Sequence, residues 1–338
     1  MQIHSKQKII IGLQLLRVIC CFGVIITHFY KFDNIKFLYN KHDYYLRIFF
    51  FTSFYFSYSS LSSKNMGKIK ERFKRMAIPY IGWPLIIYIT DKVNHYLYNV
   101  RESYTIKNFY YQILIGCGIY GILWFVFNLL FLSVIFVLII LLFKKRYIFV
   151  MLLICIFIYS VYYSNYVNIF LSEYKLVPVH HSIKPIAQYF VFVFSGFYFA
   201  YIKILNKLHK YRILSIICSS LLILIYFKYY FLFFVNVPLS YKGLVDNIFT
   251  LQLFIFFAMI PFDKINNKHL YNVLIKMTNY TGGVYYLHVI IDNFLKKYIE
   301  ANRQRTFIGC LFNYFVSYYI CLSGVFIFNQ NSLKYLFI

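Results

Sequence analysis

Arg17 and His28 share one long apolar run, IIIGLQLLRVICCFGVIITHFY, from about Ile9 to Tyr30. About 20 mostly apolar residues in a helix cross the hydrocarbon core of a bilayer. An arginine in such a helix costs at least ~2.5 kcal/mol, so its presence points to a use for the charge. The separation, from 17 to 28, is close to three helical turns. The two side chains therefore lie on one face, about 16 Å apart along the axis. Imidazole titrates at about pH 6.5 and can take a proton from a hydroxyl near neutral pH. By position alone, His28 fits a general base or an interfacial imidazole held by water and headgroups. Arg17 fits a functional cation or a snorkelling side chain.

Three further stretches hold groups able to do chemistry. In ERFKRMAIPY, residues 71–80, Arg72 and Arg75 share a face if the segment is helical. Two guanidiniums there can clamp phosphates, although a plain cytoplasmic basic loop has the same composition. In LWFVFNLLF, residues 123–131, Trp124 has the place of an interfacial anchor, and Asn128 lies on the same face one turn later. In GGVYYLHVIID, residues 282–292, His288 and Asp292 are spaced to touch on one helical face. A carboxylate that orients an imidazole serves both catalysis and proton relay. His180 and His181, in VPVHHSIKP, read as a solvated loop. The chain has no GxSxG, no HExxH and no phosphate-loop glycine spacing.

The elements that must position these groups are apolar helices. Of the 338 residues 61% are hydrophobic and 13% charged, about half the charged fraction of a soluble protein. Ten candidate spans follow at about 9–30, 44–60, 78–95, 119–142, 147–163, 185–202, 212–229, 244–261, 281–298 and 307–328. The fold class expected is all-α, a polytopic membrane protein with about ten transmembrane helices in a single domain over 1–338. The second span is short, and Pro79, Pro84 and Asp91 interrupt or bound the third. The longest connection, about 91–118, holds an amphipathic stretch, IKNFYYQILI, suited to lying along the interface. No small-residue cleavage motif follows the first run, which reads as a retained helix and not a signal peptide.

The net charge of +25 does not indicate nucleic acid, because the cations cluster between apolar runs. Clusters at Lys64–Arg75, Lys144–Arg146 and Lys203–Arg212 fall on one side of a ten-span chain. The positive-inside tendency makes that side cytoplasmic, with both termini inside. The loop with Lys296, Lys297, Arg303 and Arg305 falls outside and runs against this bias. The seven cysteines form no CxxC pair, and neither disulfide nor metal site is expected.

The order of these motifs resembles the membrane-bound acyltransferase family 3, the integral-membrane O-acyltransferases of surface polysaccharides. The resemblance rests on LLRVICCFGVIITH at 15–28, FFFTSFYF at 49–56, RFKRMAIPY at 72–80, WFVFNLLF at 124–131 and YYLHVII at 285–291. Phe54 stands where the family's second motif has glycine, which alters the expected backbone packing there. The chain ends after the tenth span, so the added extracytoplasmic domain of some members is expected to be absent.

The resemblance implies transfer of an acyl group other than amino-acyl, acetyl in the first instance. The donor implied is cytoplasmic acyl-CoA and the acceptor a hydroxyl of a surface or lipid-linked polysaccharide. It implies catalytic roles for His28 and Arg17, coenzyme-phosphate binding by Arg72 and Arg75, and support from Trp124, His288 and Asp292. No metal and no nucleic acid are implied. The location implied is the cytoplasmic membrane. A polysaccharide or lipid-linked glycan exporter on the same scaffold is the competing reading, since intramembrane charge suits transport too. An ion- or proton-coupled transporter using His288 and Asp292 is weaker, because no inverted repeat is visible.

Overall fold

In a computed structural model the chain is all-α, with no strand among the described residues. These are 2–29, 42–63, 66–98, 105–116, 123–163, 177–233, 239–260, 268–288, 291 and 307–328. The helices are α1 (Gln2–Phe29), α2 (His42–Leu61), α3 (Met66–Tyr98), α4 (Ile106–Ile115), α5 (Leu123–Phe143) and α6 (Tyr147–Tyr163). They continue with α7 (Val177–Tyr201), α8 (Ile204–His209), α9 (Arg212–Phe233), α10 (Leu239–Met259) and α11 (Lys268–Asn279). Residues 281–288 are also helical, and α12 is Phe307–Ile327.

One stretch, Trp124–Ser160, is long and apolar enough to cross a membrane, with a mean hydropathy of 3.1. A 3-10 turn at Lys144–Arg146 divides it into α5 and α6, with Lys144 at a φ of 45°. That turn falls at the expected boundary between the fourth and fifth spans. Five shorter apolar helices also occur: Ile11–Ile25, Ile186–Tyr201, Arg212–Tyr226, Asn247–Met259 and Leu311–Ile327.

The chain forms two compact units. The first comprises Met1–Tyr58 and Phe192–Thr281. In it α1 packs against α10 and α11, and α9 against α10. Its aromatic core joins Tyr44, Tyr226 and Phe249, with the last two stacked at 4.0 Å. Gly196 of α7 lies directly beneath the backbone of Phe51 in α2, where a Cβ would run into the Phe51 carbonyl oxygen. Phe54 itself is fully buried.

The second unit comprises Ser59–Val191 and Gly282–Ile338. There α3 packs on α4 and α5, and α5 on α6. The third expected span becomes part of one 33-residue helix that runs through both Pro79 and Pro84 and also takes in residues 71–80. The amphipathic stretch is α4. Thr105 caps its start by accepting from the Asn108 N–H at 3.3 Å, and Gly116 ends it in the left-handed region at a φ of 67°. A Cβ at Gly116 would meet Phe127 and the backbone of Trp124, so only glycine brings α4 this close to α5. Tyr80 of α3 donates its hydroxyl to the Gln112 carbonyl at 2.8 Å and holds α4 from the other side. His180 and His181 lie in the first turns of α7 and not in a loop. Pro178, in the first turn, is compatible with helix entry because the N–H it lacks has no intrahelical partner there.

Candidate functional site

The face of α1 that meets α10 and α11 is set by Leu13, Leu16, Cys20, Cys21, Val24 and Ile25, all nearly or fully buried. These fall at helical spacing, which is why a strongly apolar helix still has one preferred side. Gln14 and Arg17 stand one turn apart beside that seam, half-buried. The Arg17 Nε and the Gln14 Oε1 are enclosed with no hydrogen-bond partner. Thr278 donates its hydroxyl to the Leu274 carbonyl at 2.8 Å and to the Gln14 carbonyl at 3.4 Å. Cys21 donates to the Thr281 carbonyl at 3.6 Å, and the Thr281 hydroxyl to the Thr278 carbonyl at 2.8 Å. The arginine thus stands in a small polar patch beside the apolar seam of α1.

His28 lies in the last turn of the same uninterrupted helix, three turns beyond Arg17. Its side chain falls outside the described residues. The backbone puts the two positions on one stripe of α1, about 16 Å apart.

The other expected groups belong to the second unit. Arg72 is half-buried and donates from Nη2 to the Ser133 hydroxyl of α5 at 3.3 Å. Arg75, one turn on, is exposed and pairs through Nε with Glu71 at 3.4 Å. The two guanidiniums thus share a helix but not a surrounding. Trp124, in the first turn of α5, stacks on Tyr189 of α7 at 5.8 Å. Asn128, one turn later, is fully buried, and neither atom of its amide has a partner.

His288 is fully buried at the end of the described helical residues 281–288, its ring 5.6 Å from Tyr285. Tyr285 packs on Phe125, next to Trp124, so the structure brings His288 and Trp124 into one aromatic neighbourhood. Asn313 of α12 donates to the His288 carbonyl at 3.0 Å, and Ser317 donates to Asn313 at 3.0 Å. Asp292 lies outside the described residues, and so does its pairing with His288.

Sequence reasoning passed over several of these groups. Arg47, in α2, is buried with its guanidinium 5.4 Å from the rings of both Tyr44 and Phe192. The signal that singles out Arg17, an arginine inside an apolar run, applies equally to Arg47. Trp83 stacks on Tyr286 at 6.1 Å. Gln14 and the Asn313–Ser317 pair had no motif to mark them, and only their burial distinguishes them.

Among the described residues no group of three His, Cys, Asp or Glu side chains could hold a metal ion. Arg72 and Arg75, in the second unit, are half-buried and exposed respectively. The arrangement as a whole offers a buried cation, a titratable group on the same helix, and neutral polar groups inside apolar walls. No curated protein and no solved structure matches the chain. The family described as an acyltransferase domain matches residues 10–328, nearly the whole length, and the chain belongs to that family, acyltransferase family 3.

Proposed function

We propose that the protein is a membrane O-acyltransferase. It takes an acyl group, acetyl in the simplest case, from cytoplasmic acyl-CoA and passes it to a hydroxyl of a surface or lipid-linked polysaccharide. It crosses the cytoplasmic membrane about ten times with both termini inside. The observation that carries this reading is the family match over residues 10–328 together with Arg17 and His28 in register on one unbroken helix.

The acceptor O–H gives its proton to the neutral imidazole of His28 as its oxygen attacks the acyl carbonyl. The carbonyl carbon gains a C–O bond and loses its C–S bond. The released thiolate of coenzyme A ends as thiol with the proton returned through His28. Arg17, about 16 Å along α1 from His28, places a fixed positive charge on the donor's path toward the reacting carbonyl. Arg72 and Arg75 meet the coenzyme phosphates. Trp124, His288 and Asp292, of the second unit, have supporting roles.

The test is the ester content of the host's surface glycan by proton NMR, in wild type, a deletion strain, and the deletion complemented with His28→Ala. Acyl signals should vanish in the deletion, return with the wild-type chain and stay absent with His28→Ala. Esters that persist with His28→Ala remove His28 from the chemistry. Glycan that is lost from the surface while esters on the remainder are unchanged makes the chain an exporter.

A further inference from the structure

We propose that Gln14 and Arg17 form a donor–acceptor pair for the pantetheine arm of the acyl donor. This deepens the acyl-CoA reading above and rests on it. Gln14 Oε1 is an acceptor with no donor, and Arg17 Nε is a donor with no acceptor; both atoms are enclosed. They stand one turn apart on α1, so their Cα atoms are about 4.5 Å apart along the axis on one face. Each residue as a whole is half-buried. A buried polar atom left without a partner is costly in apolar surroundings, and most such atoms in folded proteins are met.

The two needs define the ligand. A phosphate or carboxylate satisfies Arg17 but offers no proton to Gln14 Oε1, so an anionic headgroup answers only half of the pair. An acyl chain answers neither. A neutral group that both donates and accepts answers both, and the pantetheine arm is built of these: two secondary amides and a hydroxyl on an otherwise apolar chain. The surroundings match such a ligand, because Leu13, Leu16 and Cys20 flank the pair on the packed side and Ile19 is exposed. The neighbouring hydroxyls do not compete, since Thr278 and Thr281 already donate to backbone carbonyls. The thioester end of the arm then extends along α1 on the His28 side of the pair.

The experiment uses the purified full-length chain in detergent and two probes. These are coenzyme A and adenosine 3′,5′-bisphosphate, which keeps the nucleotide phosphates and lacks the pantetheine arm. Wild type should bind coenzyme A about tenfold or more tightly than the bisphosphate. Gln14→Met, which keeps length and helix propensity, should weaken coenzyme A about 5- to 100-fold, the range for one unmet buried polar group. It should leave the bisphosphate within twofold.

Equal affinities of wild type for the two probes overturn the proposal without any variant. So does a Gln14→Met variant that weakens both probes alike, or that lowers the melting temperature while keeping the ratio of affinities. The latter outcome assigns Gln14 to pairing with Arg17. A wild-type chain that binds neither probe refutes the acyl-CoA reading itself, and the two failures are told apart by the bisphosphate.

Discussion

Arg72 and Arg75 show how one turn of helix can separate two roles. Arg75 is 58% exposed and shares Glu71 in an i,i+4 pair, an arrangement worth about 0.3–0.5 kcal/mol and easily exchanged for a phosphate. Arg72 is tied across the helix interface to Ser133. Arg75→Gln should therefore weaken coenzyme A binding about fivefold, the ~1 kcal/mol upper range of an exposed pair, with a smaller effect at high salt. Its melting temperature should stay unchanged. Arg72→Gln should weaken binding and also lower the melting temperature, because it removes a contact between α3 and α5. Binding titrations at two salt concentrations with a thermal melt decide the matter, and normal binding by Arg75→Gln excludes Arg75 from the phosphates. The spacing of the two arginines was legible in the sequence. Their unequal burial was not, because it depends on α5 bringing Ser133 to one of them, and no local pattern encodes that meeting. Arg17 was legible for the opposite reason: a charge in an apolar run is conspicuous whatever surrounds it.

At the scale of elements, close approach between helices is set by single glycines. Gly196 lets α7 come down on the backbone of Phe51, and an added methyl would run into the Phe51 carbonyl group and Cα. Gly196→Ala should cost about 1–3 kcal/mol, the range for overpacking a filled interior, read as a lower melting temperature in detergent. An unchanged melt means that α2 and α7 separate without penalty and that the close contact is dispensable. The replaced glycine at Phe54 pointed to altered packing in α2. In the structure Phe54 is a fully buried core residue, and the small residue stands on α7, the partner helix. The strongly apolar helices and α4 were readable from composition and amphipathic pattern, while the caps of α4, Thr105 and Gly116, emerged from the structure. By contrast α8 and α11 were missed, since they are short or polar on one side, and apolar content alone does not register such helices. The continuity of α3 was hidden by Pro79 and Pro84. Proline ordinarily kinks or ends a helix, and here packing overrides that preference.

At the scale of the whole molecule the question is which side each charge faces. The excess of positive charge, +25, is spread over both sides of the expected topology, so the charge bias alone is a weak guide. The second unit adds a geometric constraint. Arg72 of α3 meets Ser133 of α5, and Tyr80 meets Phe127, so α3 advances as α5 recedes and the two helices are antiparallel. The basic start of α3 and the basic turn Lys144–Arg146 therefore lie toward one end of this helix pair. An orientation that puts one of these clusters in the cytoplasm puts both there, and Arg72 and Arg75 then open toward the compartment that holds acyl-CoA. Lys145 is exposed in its turn and makes a suitable reporter. With the native cysteines replaced, Lys145→Cys should react with a membrane-impermeant maleimide in inverted vesicles and stay unlabelled in intact cells. Arg303→Cys, in the loop after the ninth expected span, should show the reverse. If Lys145→Cys is labelled from outside, the arginines of α3 face away from the donor. The acyl-CoA assignment of Arg72 and Arg75 then fails, whatever the esters on the surface glycan show. If both cysteines are labelled from one side, the number of crossings between them is even, and the count of ten is wrong between α6 and the last helix.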